Sequence, residues 1–194
     1  IATISDSTTS ANTTLQISSS TGISLDLSDG TSDQLTLSGT GTNITVSNTE
    51  TIVGSGGSNT VTMGTNLSAA TVSLTGGSNV LNLAIAGSHT GSIAAETING
   101  NTSADNTLTL NNVLTGSTID LGTTSSADQL NLNNASGGYN LTVLNAETIN
   151  GSSGSDTIIL SGTNTTSVTG GDGADTITAS SNADTFKFDA ISEL

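Results

Sequence analysis

The residues with the clearest chemistry stand near the C-terminal end, in Gly170-Gly171-Asp172-Gly173-Ala174-Asp175-Thr176-Ile177-Thr178. The run fits the nine-residue pattern G-G-x-G-x-D-x-U-x, where U is a large apolar residue. Glycines permit a tight turn and leave backbone carbonyls open, the aspartate adds an anionic oxygen, and the apolar residue anchors the strand that follows. Hard oxygens of this kind suit calcium, which takes about six to eight of them at about 2.3–2.6 Å. Gly151-Ser152-Ser153-Gly154-Ser155-Asp156-Thr157-Ile158 repeats most of the pattern, and a fainter copy ends at Asp184, with Ala179 and Asn182 in place of glycines. The expected calcium ligands are therefore Asp156, Asp172, Asp175 and Asp184, together with the loops of Gly151, Gly154, Gly170, Gly171 and Gly173. Catalytic patterns are missing by comparison. No serine has a histidine partner at a recognisable spacing, and no G-x-S-x-G elbow precedes a helix. Nothing singles out two carboxylates for glycoside hydrolysis. His89 is the single histidine and reads as a surface loop residue. The chain is not read as an enzyme.

The elements that must hold these loops are strands. Asp or Asn followed by two apolar residues at alternate positions recurs as Asp33–Leu35–Leu37, Asn59–Val61–Met63, Asn79–Leu81–Leu83, Asn106–Leu108–Leu110 and Asp128–Leu130–Leu132. It continues as Asp156–Ile158–Leu160, Asp175–Ile177 and Asp184–Phe186–Phe188. A period of two marks a strand with one face inward, and β-branched residues with interspersed glycines disfavour helix. The steps between copies alternate: short from Asn59 to Asn79, long to Asn106, short to Asp128, long to Asp156 and short to Asp175. A second marker, Glu-Thr-Ile, begins at Glu50, Glu96 and Glu147, each time inside a long step. Together they predict an all-β parallel β-solenoid in which shorter two-strand coils alternate with longer ones, in a unit of about 48 residues. An antiparallel sandwich shares the short strands and glycine-rich turns and is the alternative. Glu50, Glu96 and Glu147 read as solvated coil corners, or more sharply as an outward ridge that binds calcium or a neighbour. Asp33, Asp105 and Asp128 read as turn-stabilising acids. Phe186 and Phe188 read as alternating on one face to close the end of the core.

Composition narrows the class. Sixteen acidic residues face one basic residue, Lys187, for a formal charge of −15. Phosphate binding needs clustered cations, so nucleic acid is excluded as a partner. Anionic membrane surfaces are disfavoured on the same ground, and no apolar run reaches spanning length. Metal cations are what such a chain attracts. Three aromatic residues in 194 cannot build a thick core, whereas small aliphatic cores repeated along an axis can. The start at Ile1 reads as a cut from something longer.

At 170–178 the sequence resembles the RTX (repeats-in-toxin) β-roll family, with a good second match at 151–158 and a weak one at 179–188. The resemblance implies calcium between loops of adjacent coils on one side of the roll. Asp156 and Asp175, separated by close to one two-nonapeptide turn, would share such a site, and Asp184 would fall on the opposite edge. Upstream, Gly54–Asn59 and Gly76–Asn79 keep glycines but carry Asn in the ligand position, while Asp33 and Asp128 keep the acid without the glycines. Two continuous parts follow: residues 1–155 as degenerate Thr/Ser/Asn-rich coils, and 156–194 as calcium-binding coils. Coils of this type look like bacterial S-layer proteins and giant RTX adhesins. The expectation is a secreted, extracellular rod of the bacterial cell surface that self-associates into a lattice, with cell-surface polysaccharide as a further candidate partner. A stalk or binding section of an adhesin, or the C-terminal β-roll of a type I-secreted enzyme, are the competing readings.

Overall fold

The computed structural model describes residues 2–5, 12–18, 20–28, 30–124, 127–133 and 137–188. Among them there are strands and no helix. Strands alternate strictly between two sheets. The first sheet holds β1 (Ala2–Ser5), β3 (Thr21–Asp26), β5 (Asn43–Ser47), β7 (Thr60–Met63) and β9 (Val80–Leu83). It continues with β11 (Thr97–Asn99), β13 (Thr115–Asp120), β15 (Asn140–Leu144), β17 (Thr157–Ser161) and β19 (Thr176–Thr178). The second holds β2 (Thr14–Ile17), β4 (Gln34–Leu37), β6 (Thr51–Ser55), β8 (Ala70–Thr75) and β10 (Gly87–Ala94). Then come β12 (Asn106–Leu110), β14 (Gln129–Leu132), β16 (Thr148–Asn150), β18 (Ser167–Thr169) and β20 (Thr185–Lys187).

Neighbours within a sheet are parallel and two strands apart in sequence, so each coil contributes one strand to each sheet. This is the expected parallel solenoid, and the antiparallel sandwich falls. Ten strands at about 4.8 Å set a rod about 45 Å long.

The core follows from the two-residue alternation. Ile44, Val61, Leu81, Ile98, Ile119, Val143 and Leu160 form one buried column in the first sheet. Leu108, Leu130, Ile149 and Val168 form another in the second, and partly buried Phe186 extends it. Each coil buries its apolar side chains only because coils stack above and below, as a solenoid requires. Phe188 does not share the inward face of Phe186; it is 45% exposed beyond the end of β20. Both sheets run on through positions 155 and 156.

The repeat unit is five strands, not two coils of unequal length. Glu50, Glu96 and Glu147 stand immediately before β6, β11 and β16, and Asp33, Asn79, Asp128 and Asp175 before β4, β9, β14 and β19. Five is odd, so successive copies begin on opposite sheets. The alternation of short and long steps reflects a marker that runs one coil along one edge and then crosses to the other. Coil length itself varies, since the register partners Ile44↔Val61 lie closer along the chain than Thr115↔Asn140.

His89 lies in the core, not in a surface loop, and is fully buried. The two halves of β10 pair with different neighbours: Gly87–Gly91 with β12 and Gly91–Ala94 with β8. The Leu108 column therefore ends at His89, beside the segment before β8, which makes no ladder pair with it. The imidazole repairs the break. Nδ1 accepts the Leu67 N–H at 3.2 Å, and Nε2 donates to the Ile85 carbonyl at 2.8 Å. Only the neutral ring can do both, and burial lowers its pKa despite the opposing pull of the Ile85 carbonyl. The unfolded chain takes up the proton near the ordinary value of about 6.5, the folded one only at lower pH. Stability is therefore full above about pH 6.5 and lost as pH falls below it. Thermal unfolding between about pH 7 and about pH 5.5 should show the midpoint falling for the native chain. His89→Leu should be less stable at neutral pH by about 1–3 kcal/mol, yet nearly flat across the same window.

Candidate metal-binding corners

Two corners run the length of the roll: corner one where the chain passes from the second sheet to the first, corner two where it returns. At most of the turns along them the chain leaves the sheet, and the N–H at the entry to the new strand is met by a side chain rather than by a backbone carbonyl; Glu147 and Asp184, which bond the Asp128 and Asn182 carbonyls, are exceptions. The side chain that meets it comes from the next coil. At corner one Asn59 Oδ1 takes the Thr42 N–H at 3.3 Å, Asn79 Oδ1 that of Asn59 at 2.9 Å, and Glu96 Oε2 that of Asn79 at 2.8 Å. Further along, Asp156 Oδ1 takes the Tyr139 N–H at 2.7 Å and Asp175 Oδ1 that of Asp156 at 2.9 Å. At corner two the acceptors are Asp33 for Thr13, Glu50 for Asp33, Asp128 for Asn106, Glu147 for Asp128 and Asp184 for Thr166, at 2.6–3.0 Å. The carbonyl of the same corner residue takes an N–H of the next strand, as Asp156 does from Thr176 at 2.7 Å. Each corner side chain thus adds one rung to the parallel ladder.

This assigns the glutamates. Glu50, Glu96 and Glu147 act as rungs, each accepting the N–H of a corner residue one coil back, and Glu96 does so while exposed. They occur at short turns, 48–50, 95–96 and 145–147, where the extra methylene reaches across. Asn48 and Asn145 open two of these turns in the left-handed conformation, at φ 53° and 57°, which Asn tolerates better than most residues. Asp33 and Asp128 are fully buried rungs, while Asp105 is exposed.

The expected ligands assemble in two places. Asp156 and Asp175 stack on corner one, and Asp184 lies on corner two. The loops 151–156 and 170–175 lie directly on one another: a Cβ at Gly151 would strike the Gly170 carbonyl, and one at Gly171 the Ser152 carbonyl. Gly171 has φ +96° and Gly173 +110°, closed to most side chains. Gly154 approaches the backbone of Gly137 and Gly138 in the coil before. Asp172 is exposed on the outside of its loop.

Asp156 is 1% exposed, and its carboxylate takes the N–H groups of Tyr139 and Ser152 and the Ser152 hydroxyl. The Ser152 hydroxyl lies within reach of both oxygens, at 3.0 and 3.1 Å, so each oxygen has two contacts and the roughly four acceptor sites of the carboxylate are engaged. Asp184 repeats the arrangement, with Oδ2 taking the Ser180 N–H and hydroxyl, both at 2.8 Å. Desolvation pushes its pKa up, but the bonds from Thr166 and Ser180 outweigh that and lower it. Ser152 and Ser180, four positions before their acids, carry no motif signal and were not expected as partners.

The chemistry on offer is hard-oxygen ligation. Among the described residues no three His, Cys, Asp or Glu side chains converge to hold a metal. A cation at 151–175 would draw on Asp156 and Asp175 and on the loop carbonyls. That donor set fits calcium better than a softer metal. Comparison with family models, with curated proteins and with solved structures finds no match to this chain. The architecture is compatible with an RTX β-roll, and it is the architecture alone that supports the likeness.

Asp156→Ala should leave two buried N–H groups without acceptors and lower stability by about 2–4 kcal/mol. Asp172→Ala, on the exposed side of the neighbouring loop, should leave the urea midpoint unchanged.

Proposed function

We propose that this chain is a structural segment of a bacterial extracellular surface layer, a stiff acidic rod that calcium stabilises and that packs side by side into a lattice. The observation that carries the reading is acid stacked on acid at corner one, where Asp175 bonds the N–H of Asp156 in a chain of net charge −15. Two carboxylates one coil apart, at about 5 Å, repel by roughly 3 kcal/mol at an effective dielectric constant of about 20. A charge-assisted N–H bond contributes about 1.5–3 kcal/mol. The two effects nearly cancel, so a divalent ion near these loops tips the balance. Asp156 and Asp175, with the carbonyls of the loops holding Gly151, Gly154, Gly170, Gly171 and Gly173, would hold it; Asp172 and Asp184 are the remaining candidates.

The outer faces suit lateral packing. On one sheet Asn99 bonds Asn82 and Asn82 bonds Thr62; on the other Asn150 bonds Asn131 and Asn131 bonds Thr109. These ladders are the same unit displayed on opposite faces by the five-strand repeat. Each is a flat array of amides and hydroxyls, open to a neighbouring rod or to a cell-surface polysaccharide.

Calcium should sharpen the thermal transition of the purified chain, a chelator should reverse this, and electron microscopy should show ordered sheets only with the ion. Asp175→Asn should need at least severalfold more calcium for the same effect. Unaltered calcium dependence in that variant removes the ligand assignment, and soluble monomers at every calcium level remove the lattice.

A further inference from the structure

We infer that Asn150-Gly151 is a site of spontaneous deamidation, gated by the coil that covers it, whereas the same pair at Asn99-Gly100 is held closed. The inference rests on neither the calcium reading nor the lattice. Glu-Thr-Ile-Asn-Gly occurs twice, at 96–100 and 147–151, and the chain has no other Asn-Gly pair. Such a pair is prone to one reaction, because glycine has no Cβ to shield or stiffen its backbone nitrogen. The glycine N–H gives up its proton and the nitrogen attacks the asparagine Cγ. The Cγ–Nδ2 bond breaks, ammonia leaves with the proton, and a five-membered succinimide ring remains. Water then opens the ring at either carbonyl, leaving aspartate or isoaspartate.

At both copies the stack draws the reacting groups apart. Asn99 ends β11, and its Nδ2 donates to Asn82 Oδ1 in the coil before at 2.9 Å. The Gly100 N–H donates the other way, to the Asp120 carbonyl of the coil after, at 2.7 Å. Asn150 ends β16 and repeats this: Nδ2 donates back to Asn131 Oδ1 at 2.8 Å, and the Gly151 N–H forward to the Thr169 carbonyl at 2.8 Å. The nucleophile and the amide it must reach are held toward opposite ends of the rod. Glycine is also fixed in place. A Cβ at Gly100 would stand 2.9 Å from the Leu121 carbonyl oxygen, and one at Gly151 would overlap that of Gly170. The packing that demands glycine after asparagine is the same packing that restrains the pair.

What covers the two pairs differs. Asn99-Gly100 lies under β13, a strand of 6 residues that is itself paired at five positions with β15. Asn150-Gly151 lies under β18, a strand of 3 residues paired at three positions with β20, also of 3 residues. Above Ile98 the buried column continues through Ile119 and Val143; above Ile149 it passes Val168 to Phe186, which is only partly buried. Short, thinly buried units open locally at a fraction of the global unfolding free energy. Each opening of β18 frees the Gly151 N–H and leaves the Asn150 side chain held by the Asn131 bond alone, while Gly100 stays bonded. The product does not restack. A carboxylate at 150 only accepts and would face Asn131 Oδ1 with no hydrogen between them. Isoaspartate also lengthens the main chain by a methylene where Gly151 already touches Gly170.

The repeated pentapeptide makes Asn99 an internal control. The whole chain is held in mildly alkaline buffer, folded and in concentrated urea, and peptide mass spectrometry follows amide loss at each site. Amide loss is the readout because Asp172-Gly173 can form isoaspartate without it. Dividing each folded rate by the urea rate at the same site removes the effect of the residues that follow the pair. That ratio should be severalfold higher at Asn150 than at Asn99. Val168→Ala, which thins the covering coil, should raise it further at Asn150 and leave Asn99 unmoved. Equal ratios in the native chain, or a higher one at Asn99, overturn the site. So does Val168→Ala speeding both sites alike, since the opening is then global, or speeding neither.

Discussion

Everything in this rod depends on the fate of one N–H per corner. A parallel sheet satisfies its strands by pairing, but a chain that must leave the sheet and re-enter its partner sheet turns a backbone N–H toward the neighbouring coil with no carbonyl opposite. Burial makes that group expensive to leave bare. Asn, Asp and Glu side chains from the next coil meet it at ten described corners, from Thr13–Asp33 to Thr166–Asp184. Coil spacing, strand register and the run of acids along each edge all follow from that single bond.

The constraint selects oxygen but is indifferent to charge, and charge is where the corners differ. Asn59, Asn79 and Glu96 form a chain in which each amide donates to the next oxygen and the carboxylate ends the series. Asn106 and Asp128 do the same. Asp33 over Glu50, Asp128 over Glu147, and Asp156 over Asp175 set acid on acid at the same geometry. An amide-bearing corner is self-sufficient; an acid-bearing one holds its coil by a bond that mutual repulsion nearly offsets. One backbone therefore accommodates amide and acid at the same corner, and the difference is a single atom exchanged between Asn and Asp.

Slips in the ladder show the same economy of polar groups. At β10 the pairing with β8 stops at Gly91, and beyond it His89 takes the Leu67 N–H and bonds the Ile85 carbonyl. Tyr139, the one aromatic residue that is fully buried among those described, sits at a corner position beside the bulge of β13. Its hydroxyl donates to the Leu110 carbonyl at 3.0 Å. Large polar side chains enter this thin core only where the stack is irregular and backbone groups need a partner.

The sequence by itself determined the parallel solenoid, because alternation at every second position in Asn79–Leu81–Leu83 or Asp156–Ile158–Leu160 allows one inward face and the recurrence forces stacking. It also placed Asp156 with Asp175 and set Asp184 on the other edge, since the first interval is one coil and the second half a coil. Only the tertiary structure decided that Glu147-Thr-Ile and Asp156-Thr-Ile are the same position on opposite corners, because chain spacing does not reveal which edge a marker occupies. Nor could spacing tell that His89 faces inward or that one oxygen of Asp33 lacks a donor. Whether a polar side chain is a surface group, a rung or an unfinished site depends on which backbone atom stands one coil away, and a full turn of chain separates the two in sequence.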